Sequence, residues 1–537
     1  MFNFKKNKEN ILSSLFFFIS LTLGYIFFVG QYGINWDEPL YKGFAETDYN
    51  LIKKKIFDNS VSFKEFLRLV ENSSLKHPTI FYTIVLLICD ILNITETIHI
   101  YRLASLLNFS IFIFSCFLFF KIIKLRFKNS LFAYLSILII FFSPRIISES
   151  FYNNRDIFFL SLNLINLYLF QRIFYKISFF SILLLSLSLA LCIHVRIFGI
   201  INLFLSVAFI FLEYDKKINT NKNIYYILTI IVLTTFFFII ITPYLWSSPF
   251  ENFFKYYFTN LNLLKNLKIA NNFLGDYYSS HNSPWYYYII WIIFTNPLFF
   301  LLLGISGILF QIKFFLSNLL KLKKNDNIWK NKIQLFDAFV LFYLLFTLFI
   351  LSKSPSKYDG WRHAYFIYPI IILNIFYFFE YLKDKFFKIY FIFLILLFLN
   401  FFFNAIWIQK NHPYQFLYFN LLENFLKRNS FDQDYWGLTS LYALKFIEKN
   451  DLNNNIKIAA ISWTSLEPNF DILKKDTKQK IKIVNIFENP DYIIDNYRSF
   501  HKISQNNKLI LKKYRKIFEI NINQNKIVTL YEKLNSK

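Results

Sequence analysis

The sequence predicts an α-helical polytopic membrane protein with about eleven spanning helices and a small α/β domain at its C-terminal end. Three observations predict it. The 537 residues are 55% hydrophobic, with 73 Phe, 36 Tyr and only 10 Gly, more apolar surface than a water-soluble core can hide without large exposed patches. Apolar runs such as residues 15–29, 224–241 and 391–403 have lengths that match a hydrocarbon slab. From about Asn411 the character changes. Short β-patterned runs at 456–461, 481–486, 516–522 and 526–531 alternate with helix-like stretches such as 438–449, and the region 520–531, with Asn-Gln-Asn at its middle, resembles a hairpin.

Spans are expected near residues 11–30, 99–120, 130–144, 157–171, 178–194, 197–212, 224–244, 287–311, 334–352, 364–380 and 388–408. The first follows Lys5, Lys6 and Lys8 with no small-residue cleavage site, which reads as an uncleaved signal anchor with its N-terminus in the cytoplasm. The segment 79–93 is apolar but short and carries Asp90, so it is expected as a juxtamembrane helix. Charge supports this choice. If 79–93 does not cross, the loops at 121–130, 171–177, 213–223, 311–333 and 380–388 all fall on the cytoplasmic side. They are dense in Lys and Arg, including Lys321, Lys323, Lys324, Lys330 and Lys332. A crossing there would invert every later loop and break the positive-inside bias.

The outer face then receives the loops 31–99, 144–156, 245–285 and 352–363, together with the tail. The expected division is a membrane core over 1–410, with 31–98 as its first outer loop, and a soluble outer-face α/β domain over 411–537. No internal repeat is visible. The formal net charge of +25 does not indicate nucleic acid, because the basic residues sit in short loops and the tail rather than in an aromatic-interleaved stripe. Cys89, Cys116 and Cys192 each lie inside an apolar segment, which suggests no disulfide framework and no zinc site.

Polar residues gather at the outer ends of these spans. They include Asp37 and Glu38 in the first loop, then Lys76, His77 and Pro78, then Arg102 at the head of the second span. The second outer loop holds Arg145, Glu149, Asn153, Asn154, Arg155 and Asp156. His194 and Arg196 follow, and then Lys353, Lys357, Tyr358, Asp359, Arg362 and His363. Each alone has a plainer reading: a solvated acidic loop, an arginine snorkelling to the interface, an N-cap at Asp156. Their recurrence on one face is what suggests chemistry. A carboxylate can take the proton of an attacking hydroxyl, while Arg, Lys and His can hold a phosphate and stabilise charge as it leaves. No Gly-rich phosphate loop marks the inner face, so use of ATP or a nucleotide sugar is not suggested.

This layout resembles the GT-C superfamily of lipid-phosphate-sugar-dependent glycosyltransferases, in particular its protein O-mannosyltransferase and aminoarabinose transferase branch. The resemblance covers about residues 1–410. It rests on the acid pair Asp37 and Glu38, the element Lys76-His77-Pro78, Arg102 heading the second span, and Arg155-Asp156 opening the fourth. It implies a GT-C-like fold and a sugar moved with inversion from a polyprenyl-phosphate donor to an acceptor hydroxyl on the outer face. Asp37 would be the general base, with Glu38 and Asp156 as further catalytic acids. Lys76, His77, Arg102, Arg155, Arg196, Arg362 and His363 would bind substrate or lipid phosphate. A divalent metal, Mg or Mn, held by Asp37 and Asp156 stays open, and no other cofactor is implied.

Two features depart from relatives. One proline follows Lys76-His77 where relatives often have two, and the loop 245–285 is too short for an added β-trefoil domain, which puts a protein acceptor in doubt. The stretches 412–415 and 434–438 are similar to tails of bacterial relatives and read as docking the tail on the core. The expected partners are the polyprenyl-phosphate-sugar donor, a glycan, lipid or protein acceptor, and membrane lipid, with no nucleic acid. The expected location is a bacterial inner membrane, N-terminus cytoplasmic and C-terminal domain periplasmic. Two other classes remain as alternatives: a transporter or flippase of a lipid-linked glycan, and a non-catalytic envelope assembly factor.

Overall fold

The computed structural model describes residues 2–56, 62–72, 78–212, 220–266, 268–321, 329, 331–498 and 509–534. In chain order its elements begin with α1 (Phe2–Phe28), α2 (Glu38–Ile56), α3 (Phe63–Asn72), α4 (Ile80–Leu92) and α5 (Thr97–Phe127). Next come α6 (Ser130–Phe141), α7 (Pro144–Glu149), α8 (Asp156–Tyr175), α9 (Phe179–Val195), α10 (Ile200–Leu212), α11 (Thr220–Ile241) and α12 (Pro249–Asn266). A small hairpin, β1 (Ala270–Phe273) and β2 (Asp276–Ser279), precedes α13 (Tyr287–Thr295), α14 (Leu298–Leu319), α15 (Lys332–Ser352), α16 (Tyr368–Lys385) and α17 (Phe387–Lys410). The tail supplies α18 (Ser440–Asn450), β3 (Ile456–Ala460), β4 (Ile481–Ile483), β5 (Tyr492–Asp495), β6 (Tyr514–Ile522) and β7 (Asn525–Lys533).

Among the described residues, 7 helices are long and apolar enough to cross a membrane, and the shorter apolar helices Ser14–Phe28, Ser130–Phe141, Phe179–Val195 and Ile197–Leu212 fill the other expected spans. Their outward faces are apolar: Phe398, Phe402 and Phe403 of α17 and Leu228, Val232 and Phe236 of α11 are all more than half exposed. Water would not tolerate so large an apolar surface, whereas lipid does. The chain is an integral multi-pass membrane protein.

The expected span at 287–311 is two helices. Pro297 has no N–H to give to a continuous helix and restricts the residue before it, so α13 ends at Thr295 and α14 restarts at Leu298. The break frees carbonyls, and the tail covers them. Asn420 donates its backbone N–H to Phe294 O at 2.8 Å and its Nδ2 to Ile293 O and Asn296 O at 2.5 and 2.8 Å.

α4, 13 residues long, lies along α2. Tyr82 near its start donates to Glu38 at the head of α2, and Asp90 near its end meets Tyr49 and Lys53 of the same α2. Both ends are therefore tied to α2.

The tail domain is a five-stranded sheet of order β4-β3-β5-β7-β6. β3 pairs parallel with β4 and β5, and β7 pairs antiparallel with β5 and β6. The β6–β7 turn places Asn523 at φ 53, a left-handed conformation that Asn tolerates better than most residues. The β1–β2 hairpin, within a region read from sequence only as a loop, is tied to the tail: Asn272 N–H donates to Asp432 Oδ2 at 2.9 Å and Gly275 N–H to Ser430 O at 2.9 Å.

α14 and α16 approach backbone to backbone. A Cβ on Gly307 would stand 1.8 Å from Asn374 O, and small residues at such crossings are what permit close packing between membrane helices. Gly307→Ala is therefore expected to lower the melting temperature in detergent, at a cost of about 1–3 kcal/mol from overpacking. Gly43→Ala, where an added Cβ meets nothing within 4 Å, should not lower it. Equal melting of wild type and Gly307→Ala would contradict the packing described.

Candidate active site

The first loop is fixed before it presents any side chain. Asn35 accepts from the backbone N–H groups of Asp37 and Glu38 through Oδ1, both at 3.1 Å, and donates through Nδ2 to Tyr152 O at 2.6 Å and Glu38 Oε1 at 2.9 Å. Glu38 also accepts from the Tyr82 hydroxyl and from Asn154, N at 3.3 Å and Nδ2 at 3.0 Å. Burial pushes the Glu38 carboxyl up, and these hydrogen bonds oppose the shift. Both Glu38 oxygens are spent on tying the first loop to α4 and to the second loop.

Asp37 points the other way. Its Oδ2 pairs with Arg362 Nη1 at 3.0 Å, and its side chain stays 16% exposed. Arg362 lies in the short helical turn Arg362–Ile367 ahead of α16. Its Nη1 is 3.8 Å from Asp156 Oδ2, and its Nη2 is 3.0 Å from Asp359 Oδ2. Asp156 opens α8, pairs with Arg196 between α9 and α10, and accepts from Asn153 Nδ2 at 3.1 Å. Arg155 donates to the Tyr41 hydroxyl at 2.6 Å and lies over the Tyr41 ring. His363 is buried beside these groups, with Nδ1 3.3 Å from the Tyr288 hydroxyl.

Arginine outweighs acid here. Asp37 and Asp156 face Arg155, Arg196 and Arg362, while Asp359 is shared with Arg498 at 2.7 Å. The Nε atoms of Arg155, Arg196 and Arg362 are all buried without a hydrogen-bond partner. Burial and the charges of Arg155 and Arg362 push the Arg196 guanidinium down to about 9 despite its pairing with Asp156. Buried donors on like-charged groups are costly unless something anionic completes them. The arrangement can therefore hold an anion beside a carboxylate that solvent still reaches.

The tail closes one wall of this site. The Arg362 guanidinium packs over Trp436 at 4.5 Å, and Trp436 Nε1 donates to Glu149 at 3.2 Å. Arg498 packs on both the Trp36 and Trp463 rings, at 4.5 and 4.7 Å, and donates to Asp359 and to Tyr435 O. The stretch 434–438, read from sequence as a docking element, docks and also touches Arg362. Tyr41, Trp436 and Arg498 were missed as site residues. Tyr41 and Trp436 sit close to residues singled out in the sequence, whereas nothing local marks Arg498.

The expected site residues do not all converge. Asp37, Asp156, Arg155, Arg196, Arg362 and His363 come together. Arg102 lies apart, against Gly30 in a cavity of about 260 Å³ that Lys445 and Lys474 of the tail also line. Lys76 and His77 lie outside the described residues, but Pro78 leads into α4 beside the site. There Thr79 donates to Asp48 Oδ2 at 2.7 Å, and His194 Nε2 accepts from the backbone N–H groups of Thr79 and Ile80.

A divalent metal between Asp37 and Asp156 does not fit these side chains. The Arg362 guanidinium occupies the space between them, and no group of three His, Cys, Asp or Glu among the described residues could hold a metal ion.

Burial pushes the Asp48 carboxyl up to about 7, against the hydrogen bond from Thr79. The usual value is about 3.9, so the folded chain keeps a proton that the unfolded chain has lost. The stability this contributes is complete below about pH 4, declines as pH rises and is lost above about pH 7. Asp48→Asn should gain in melting temperature relative to wild type between pH 5 and pH 8. A constant difference across that range would refute the assignment.

No protein-family model matches this chain, and no curated protein matches it. Among solved structures it is similar to the crystal structure of ArnT from Cupriavidus metallidurans bound to undecaprenyl phosphate. The two share 8% identity and a TM-score of 0.47 over 96% of this chain and 97% of that one. At that identity and score, the likeness assigns no residue or substrate to this chain.

Proposed function

We propose that this protein is a glycosyltransferase of the GT-C type, moving a sugar from a polyprenyl-phosphate carrier to an acceptor hydroxyl at the outer membrane face. One observation carries the reading. Three arginines with unpartnered buried Nε atoms cluster at one end of the spanning helices, and one of them, Arg362, pairs with a solvent-reachable carboxylate, Asp37. A lipid-linked phosphate matches that cluster in charge, and its apolar tail matches the lipid-facing helices beside it. The cleft next to Arg155 is walled by Pro78, Ile80, Phe81, Phe158 and Val195, which suits the first units of such a tail.

In this mechanism the acceptor oxygen forms a bond to the anomeric carbon from the face opposite the phosphate. The bond from that carbon to the phosphate oxygen breaks, and its electron pair leaves with the polyprenyl phosphate. Asp37 takes the acceptor proton. Arg155, Arg196 and Arg362 hold the phosphate and stabilise its growing charge. Asp156 keeps Arg196 and Arg362 in place, and Glu38 acts as a positioning residue through the loop it ties down. The acceptor is a hydroxyl of a glycan, lipid or protein.

The basic loops support a cytoplasmic N-terminus and a periplasmic tail in a bacterial inner membrane. A transporter would place charge near mid-membrane. The described ion pairs of the spanning helices lie instead at helix ends, at Asp156 and Arg196 and at Arg126, Asp337 and Glu380.

The test is transfer of radiolabelled sugar from a panel of polyprenyl-phosphate donors in membranes with matched expression. Asp37→Asn should lower transfer by about 10²–10⁴-fold while leaving folding intact. Arg155→Ala should weaken polyprenyl phosphate binding by about 10-fold or more, the loss of a charged hydrogen bond. Transfer that survives Asp37→Asn would remove Asp37 as the base. Absence of wild-type-dependent transfer across a broad panel would sink the reading as a whole.

A further inference from the structure

A second polar centre lies at the opposite ends of the same helices. Arg126, near the end of α5, makes a two-pronged pair with Asp337 of α15, Nε–Oδ1 at 2.5 Å and Nη2–Oδ2 at 2.7 Å, and reaches Glu380 of α16 at 3.3 Å. The Tyr377 hydroxyl donates to Asp337 at 2.7 Å. These groups line a cavity of about 210 Å³ bounded also by Phe310, Gln311 and Phe314 of α14 and by Tyr381, Asp384 and Lys385 of α16. Asp156 opens α8 at the candidate site, whereas Arg126, Asp337 and Glu380 make no contact with Asp37, Asp156 or Arg362, so none of these residues serves the chemistry around Asp37.

Two features of the cavity ask for a ligand. Asp337, Glu380 and Asp384 outnumber Arg126 and Lys385 in the lining, and Arg126 gives its shortest contacts to Asp337 and only longer ones to Glu380. Gln311 stands in the wall 6% exposed, with neither its amide nitrogen nor its amide oxygen partnered. A buried amide without partners is costly, and few are left so in a native fold without a reason.

The ligand must then offer a cation for the acids, hydrogen-bonding groups for Gln311 and an apolar part. An ammonium fits the acids, beside the Phe310 and Tyr381 rings that pack on each other with centroids 4.4 Å apart. A phosphate next to that ammonium would meet Lys385 and the Gln311 amide. The apolar part has a place because the lining includes Phe314, which is 50% exposed on the outward surface of α14. Depth agrees. Asp337 and Glu380 lie about 8 Å inside the helix ends at Lys332 and Lys385, the level of headgroups rather than of mid-membrane.

We infer that this cavity binds the headgroup of an ethanolamine-type zwitterionic phospholipid from the leaflet opposite the proposed active site. The carboxylates of Glu380 and Asp384 accept from the ammonium, Gln311 and Lys385 meet the phosphodiester, and the acyl chains run along Phe314. This does not depend on the glycosyltransferase reading. Free phosphoethanolamine carries the same polar chemistry, and the lipid is favoured by the apolar exit.

The test uses the full chain, purified and delipidated in detergent. Its melting is followed with added phosphatidylethanolamine, phosphatidylglycerol or soluble phosphoethanolamine. Phosphatidylethanolamine should raise the wild-type midpoint by about 2–4 °C, with phosphatidylglycerol giving little. Gln311→Leu should fold at least as well as wild type, because it removes the unpartnered amide, and should lose that shift. The exposed Asp384→Asn should reduce it, and Asp37→Asn should keep it in full. Equal shifts from the two phospholipids, or an undiminished shift in both Gln311→Leu and Asp384→Asn, would overturn the site. A full shift from phosphoethanolamine alone would overturn the lipid as its source.

Discussion

Arg362 ties together the first loop, the spanning helices and the tail at one end of this protein. It is 5% exposed, its Nη1 pairs with Asp37, and its Nη2 pairs with Asp359. Removing water from a guanidinium costs several kcal/mol unless partners replace it, so each of those carboxylates must be delivered by a rigid element. Asp37 comes from the loop that Asn35 and Glu38 fix, Asp156 from the start of α8, and Asp359 from a turn in which it adopts φ 53. Asp359 would be repelled by Asp37 without Arg362 and Arg498 on either side of it. The membrane helices, the first loop and the tail thus meet at one cation, and losing it would strand three buried or half-buried acids.

The tail is correspondingly less separate than its composition suggests. Phe416, Leu417, Phe431, Tyr435 and Trp436 belong to the same apolar core as the spanning helices, whereas α18 and strands β3 to β7 form their own core with Leu441, Leu444, Ile458 and Leu530. Asn420 satisfies the carbonyls freed by the break between α13 and α14. A membrane helix can break only where something polar answers its backbone. Arg498 extends the same logic to the far end of the chain, reaching Asp359 from beyond β5.

The spans were legible because a hydrocarbon slab imposes a length and an apolar composition that no other environment demands, and charge parity then placed Asp37, Arg155, Arg196 and Arg362 at one end. What parity cannot give is direction. Adjacent acids in a turn point to opposite sides, and only the three-dimensional partners Tyr82 and Asn154 decide that Glu38 is buried while Asp37 is open. Arg102, expected at the depth of the cluster, lines a separate cavity with Lys445 and Lys474, a position around the bundle that depth alone cannot resolve. The break at Pro297 was written in the sequence, since proline forbids the continuous helix expected there. Arg498 left no local sign, because its value lies wholly in contacts with Trp36, Trp463 and Asp359.

Between the two charged ends the helices use neutral polar groups. Tyr343 of α15 and Asn202 of α10 both donate to Asn163 of α8 at 2.7 Å, and Ser188 of α9 donates to Asn166 at 3.1 Å. Such bonds satisfy polar side chains in lipid at modest gain and specify how the helices sit together, without the penalty a charge would carry at that depth. The division is therefore physical before it is functional. Neutral networks register the bundle in its middle, and ionised groups are affordable only near its ends, where water or headgroups share their solvation. Arginines gathered beside Asp37 and carboxylates gathered beside Arg126 make those two places fit for different ligands.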